Sequence, residues 1–72
     1  MEIQTTEQFI DAIRTIRKKQ KISQQQLADF TGLQRIGIVR IESGKTEPKL
    51  STVLKMCQML GIKVHVSFEG ET

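Results

Sequence analysis

Cysteine, proline and histidine occur once each in the 72-residue chain, as Cys57, Pro48 and His65. A lone cysteine closes no intramolecular bridge, which excludes a disulfide-stapled secreted scaffold and makes a reducing cytosol the natural setting. One histidine and one cysteine make no cluster with metal-ligand spacing, and Cys57 falls on the apolar stripe of a predicted helix, where a buried, inert thiol is expected. No catalytic constellation remains, and neither a cofactor nor a metal is implied. With one proline, no low-complexity stretch and no internal repeat, there is no linker and no second domain. No apolar run approaches the roughly 20 residues that a membrane-spanning helix needs. The start, Met1-Glu2-Ile3-Gln4, lacks the basic and apolar regions of a signal peptide. These absences point to one small, soluble, cytoplasmic domain over residues 1–72, of a size that buries only about 60% of its unfolded surface.

What is present is an uneven charge. The chain carries 11 Lys and Arg against 8 Asp and Glu, a net +3. Residues 1–13 hold Glu2, Glu7 and Asp11 and no base, and residues 46–72 balance Lys49, Lys55 and Lys63 against Glu47, Glu69 and Glu71. The segment 14–45 holds Arg14, Arg17, Lys18, Lys19, Lys21, Arg35, Arg40 and Lys45 against Asp29 and Glu42 alone. Three acids, a +6 middle and a neutral end sum to the net charge, and the middle suits nucleic acid or another anionic surface.

Hydrophobic spacing predicts four helices. Phe9, Ile10, Ile13 and Ile16 make one helical stripe that Thr5-x-x-Gln8 can open as a capping box, giving a helix over about 6–20. Ser23-x-x-Gln26 is a second capping box, followed by Leu27, Ala28 and Phe30 and stopped by Gly32, giving 24–31. Over 34–43, Ile38 and Ile41 face inward and Gly44 supplies the stop. Beyond Pro48, the residues Leu50, Val53, Leu54, Cys57 and Leu60 follow helical spacing over 50–60, with Met56 and Met59 flanking and Gly61 ending the helix. The period then changes to two. Ile62, Val64, Val66 and Phe68 alternate with Lys63, His65, Ser67 and Glu69, which predicts a strand over 62–68 with His65 on its polar face. A lone strand has unpaired backbone groups. The same strand of a second copy, paired antiparallel across a two-fold axis, satisfies them, so a homodimer is expected in preference to a tail packed on its own helices or frayed.

Two short helices joined at Gly32 inside the basic segment fit a helix-turn-helix. Ser23-Gln24-x-x-Leu27-Ala28-x-x-x-Gly32, then Arg40-Ile41-Glu42-x-Gly44, then Pro48, resemble the lambda-repressor-like, Cro-type (XRE) helix-turn-helix family over about residues 10–62. The resemblance implies a mainly α bundle of four to five helices, here with the C-terminal β-strand pairing across a homodimer, and a recognition helix at 34–43 lying in the DNA major groove. With Ile38 and Ile41 inward, helical rotation puts Ile36, Arg40 and Ser43 outward and Val39 on the flank. Arg40 and Arg35 are placed to fork onto guanine O6 and N7. Ile36 is either an unremarkable exposed aliphatic or the partner of a thymine methyl. The family also implies backbone contacts from Gln24 and Gln34 at helix starts and from Lys45 and Thr46 after the recognition helix, with Ser43 beside them. Arg17, on the Phe9–Ile13 row, and Glu42 are expected as a structural ion pair, and Lys18, Lys19 and Lys21 as a solvated basic rim. Gly37 costs a helix about 1 kcal/mol relative to alanine. It reflects either a close backbone approach or a cramped site.

Leu60-Gly61-Ile62-Lys63-Val64-His65-Val66 is similar to the tail of HipB-type antitoxins, dimers that repress their own operon and hold a HipA-type kinase toxin. The expected function is thus sequence-specific, homodimeric repression, with a HipA-type kinase toxin as a second partner. A stand-alone phage or plasmid-type repressor, or a HigA-like antitoxin of an unrelated toxin whose main task is protein binding, has the same features.

Overall fold

The computed structural model describes residues 2–70. Met1, Glu71 and Thr72, which the domain bounds include, lie outside the described residues. Four helices follow in order: α1 (Thr6–Lys19), α2 (Gln24–Thr31), α3 (Arg35–Glu42) and α4 (Leu50–Leu60). The count stands at the lower end of the expected four to five.

Local chemistry sets the ends. At α1 the Thr5 hydroxyl accepts the Gln8 N–H at 3.1 Å, but the Gln8 side chain accepts from Gln4 rather than from Thr5, so the box closes one residue early. The α2 box is complete: Ser23 Oγ accepts from the Gln26 N–H at 2.9 Å and Gln26 Oε1 from the Ser23 N–H at 2.8 Å. Gln20, Gln34 and Ser43 are caps rather than helical residues. Gly32, Gly44 and Gly61 take the left-handed conformation that ends α2, α3 and α4. At the end of α1 that conformation falls on Lys21, with φ +59°. Its N–H donates to the Lys18 carbonyl and the Ile22 N–H to the Arg17 carbonyl, the paired bonds of a Schellman stop that usually carries glycine.

The core gathers Ile10 and Ile13 from α1, Leu27 and Ala28 from α2, Ile38 and Ile41 from α3, and Val53, Met56, Cys57 and Leu60 from α4. Phe9, Ile16, Ile22, Leu33, Met59 and Ile62 pack around it. α2 packs on α3 and α4, and α1 on the same pair. Two sequence readings need correction. The inward stripe of α4 begins at Val53, so Met56 is fully buried while Leu50 and Leu54, turned to one flank, are exposed. In α2, Phe30 is exposed, and Thr31, one turn after Leu27, is buried in its place. The Thr31 hydroxyl is accommodated there because it donates to the Leu27 carbonyl at 2.9 Å. Within the single chain, residues 62–68 pair with no other backbone among the described residues; the strand expected there is one made with a second copy. Strand geometry is secured by pairing, and the four helices satisfy their own backbone and offer this segment no edge. Ile62 docks on the core, whereas Val64, Val66 and Phe68 are exposed.

Burial pushes the Cys57 thiol above its ordinary pKa by desolvation, as befits a packing residue. No helix among the described residues is long and apolar enough to cross a membrane.

Candidate nucleic-acid interface

Two polar centres flank α3, and they differ in kind. The first is buried. Arg17 Nε donates to Glu42 Oε2 at 2.7 Å and Arg17 Nη2 to Glu42 Oε1 at 2.9 Å, a two-pronged pair joining α1 to α3. Arg17 Nη1 donates to the Ile22 carbonyl at 2.8 Å, in the turn before α2. Gln24 Nε2 donates to the same Glu42 Oε1 at 3.0 Å. One carboxylate therefore ties both α1 and α2 to α3, and among the described residues no buried side-chain nitrogen or oxygen lacks a partner.

The second centre is an open groove of about 440 Å³, lined by Arg14, Arg17 and Lys18 of α1, Ser23, Gln24 and Gln25 at the start of α2, and Arg35 at the start of α3. Arg14 and Lys18 stand one helical turn apart, so both face it. Ser23, Gln24 and Gln25 place the start of α2, the positive end of its dipole, at this groove, which favours an anion. At the other end of α3 a groove of about 300 Å³ carries Glu7, Asp11 and Glu47. The segmental charge of the sequence thus becomes a spatial one: positive beside the first turn of α3, negative beside its last.

The exposed face of α3 is turned away from its buried stripe. Ile38, Ile41 and Glu42 are buried. Arg35, Ile36 and Arg40 are exposed, Ile36 at 53%, and Val39 and Gly37 are half-buried. Neither Arg35 nor Arg40 forms an ion pair among the described residues. A guanidinium held on a rigid helix with all its donors free is suited to a planar acceptor pair such as a guanine edge or a phosphate.

The other nominated residues divide. Gln34 caps α3 with its side chain exposed. Gln24 is at the groove, but its amide is partly engaged by Glu42. Ser43 and Thr46 line the acidic groove rather than the basic one, and the Ser43 hydroxyl donates to the Arg40 carbonyl at 3.1 Å. Lys45 is exposed in the loop after α3. Sequence reasoning assigned no site role to Arg14 or Gln25; the four-residue spacing of Arg14 and Lys18 was the signal for the former. Among the described residues, no group of three or more His, Cys, Asp or Glu is placed to hold a metal ion.

Comparison with known proteins bears on this arrangement. The family described as Helix-turn-helix matches residues 13–66. The chain is 36% identical over 62 residues to the SPbeta prophage-derived uncharacterized HTH-type transcriptional regulator YonR of Bacillus subtilis strain 168, covering 86% of this chain and 57% of that one. It is 39% identical over 57 residues to the HTH-type transcriptional repressor RghR of the same organism, covering 78% and 42%. To the immunity repressor protein of Bacillus phage phi105 it is 38% identical over 60 residues, covering 83% and 42%. The chain spans about half the length of these curated relatives. No solved structure matches it with comparable significance.

Proposed function

The chain belongs to the Helix-turn-helix family, and from that premise we propose that it is a sequence-specific DNA-binding repressor that acts as a homodimer in the cytoplasm. The observation that carries the reading is the outward face of α3: two exposed arginines without ion-pair partners among the described residues, Arg35 and Arg40, beside a groove lined by Arg14 and Lys18. Arg40 and Arg35 read guanine edges. Ile36 and Val39 supply apolar contact to thymine methyls. Gln34, the N-terminus of α2 with Gln24, and Lys45 position the phosphate backbone, and Ser43 and Thr46 touch it where it passes the end of α3.

Dimer formation is supported by the tail. Val66 is 93% exposed and Phe68 71% exposed, and an alternating apolar segment with an unpaired backbone gains both burial and hydrogen bonds from an antiparallel copy of itself. Two recognition helices related in this way read half-sites about 34 Å apart or a multiple of that.

The names of the relatives, a prophage-derived regulator and a phage immunity repressor, favour a phage-type repressor. The HipB-type antitoxin reading, with a HipA-type kinase toxin as partner, rests on the similarity of residues 60–66, and a kinase-like reading frame beside the gene would favour it.

The test is a mobility-shift titration on duplexes selected by the parent protein from a randomised pool. Arg40→Ala is expected to lose about 1–3 kcal/mol of affinity, roughly 5- to 150-fold, and Arg35→Ala a similar amount. Unchanged binding in both removes α3 from the interface. Light scattering of a chain ending at Gly61 is expected to report a monomer, and a persistent dimer moves the interface elsewhere.

A further inference from the structure

Gly37 is the third residue of α3 and weakens it, because glycine fixes more backbone freedom in a helix than any other residue. A glycine in such a place normally answers a need of the fold. None is visible. Its φ is not in the left-handed region, and a Cβ built on it meets only the Leu33 Cβ, at 3.9 Å, an ordinary contact distance. The protein therefore has room for a side chain that it does not carry, which excludes the cramped-site reading of this residue. Gly32, Gly44 and Gly61 differ in that each has a positive φ that a side chain would strain.

The empty position has a definite direction. Helical rotation puts Gly37 in the first turn, on the flank of α3 between the buried Ile41 and the exposed Arg40. The first turn of such a helix is the part that meets base edges. We infer that Gly37 is a contact residue for the operator: the missing side chain lets the main chain of α3 settle against the DNA at a depth that a methyl group would prevent, and so sets how far Arg35 and Arg40 reach into the groove. The inference rests on the proposed DNA-binding role and concerns specificity rather than general affinity, since Gly37 carries no charge to offer a phosphate.

Gly37→Ala is the experiment, measured on the full chain three ways: thermal unfolding, affinity for a duplex selected by the parent from a randomised pool, and affinity for a duplex of unrelated sequence. The expected result is a Tm at or a few degrees above that of the parent, affinity for the selected duplex lowered about tenfold or more, and affinity for the unrelated duplex retained, because that affinity comes from phosphate charge. Equal affinity for the selected duplex overturns the inference. So does a lowered Tm, which would return Gly37 to the service of the fold, and so does an equal loss on both duplexes. Failure of the underlying reading looks different: Arg40→Ala and Arg35→Ala then bind the selected duplex as the parent does.

Discussion

The two sides of α3 use arginine for opposite purposes. Arg17 reaches the inner side from α1 and is buried, with Nε, Nη1 and Nη2 each donating to an acceptor within the chain. Arg35 and Arg40 stand on the outer side, exposed and free of ion pairs among the described residues. The chemistry of the group is the same; what differs is whether the protein has already supplied its acceptors. A guanidinium satisfied internally fixes the angle between helices, and one left unsatisfied on a rigid scaffold is available to a ligand. The fold invests one charge in geometry so that two others are presented from a fixed place.

The largest expected effect comes from breaking the inner side. Arg17→Ala leaves Glu42 buried with only the Gln24 amide as a partner and is expected to cost about 3–5 kcal/mol, enough to unfold a domain of this size, as thermal or urea denaturation will read. A variant as stable as the parent contradicts the structural role. Exchanging the pair for apolar residues, Arg17→Met with Glu42→Leu, is expected to recover most of that loss, because a well-packed apolar replacement avoids desolvating both charges.

Next comes the outer side. Arg40→Ala, for which the proposed function expects a loss of binding, should leave Tm within the range of a neutral surface change, about 0.5 kcal/mol either way. Loss of both stability and binding would erase the distinction between the two faces. A smaller effect, of opposite sign, concerns the turn between α1 and α2. Lys21 holds a left-handed backbone that costs a residue with a side chain about 1–2 kcal/mol, so Lys21→Gly is expected to stabilise by about 1 kcal/mol, a rise in Tm of about 4–8 °C for a domain of this length. The smallest effect is Ile36→Ala. It should not move Tm measurably, and its affinity should fall only on duplexes with a thymine opposite that position, which decides between an idle aliphatic and a thymine contact.

The helix ends were legible because their causes are local. Ser23 and Gln26 lie three residues apart and cap α2 wherever it packs, and Gly32, Gly44 and Gly61 stop their helices by backbone freedom alone. The inward stripe of α1, the stripe of Ile38 and Ile41, and the outward place of Ile36 and Arg40 follow from helical rotation in the same way. Where the periodicity was ambiguous, the reading failed. Leu50 and Leu54 satisfy helical spacing as well as Met56 does, and only the direction from which α1 and α2 approach α4 selects Met56 for the core.

The tail marks the boundary between the two kinds of information. Alternation at residues 62–68 records which side chains share a face, but a strand exists only when another backbone pairs with it, and the helical body provides none. By itself the sequence determined the four helices, the capping box of α2, the glycine stops, and the concentration of positive charge in the helix-turn-helix, all consequences of residues within one or two turns of each other. The tertiary structure alone decided that Glu42, besides pairing with Arg17, also gathers Gln24, 18 residues away, that the charges divide between the two ends of α3, and that Gly37 has space beside it. Those facts depend on how helices lie against one another, and that is set by the packing of the whole core rather than by any local pattern.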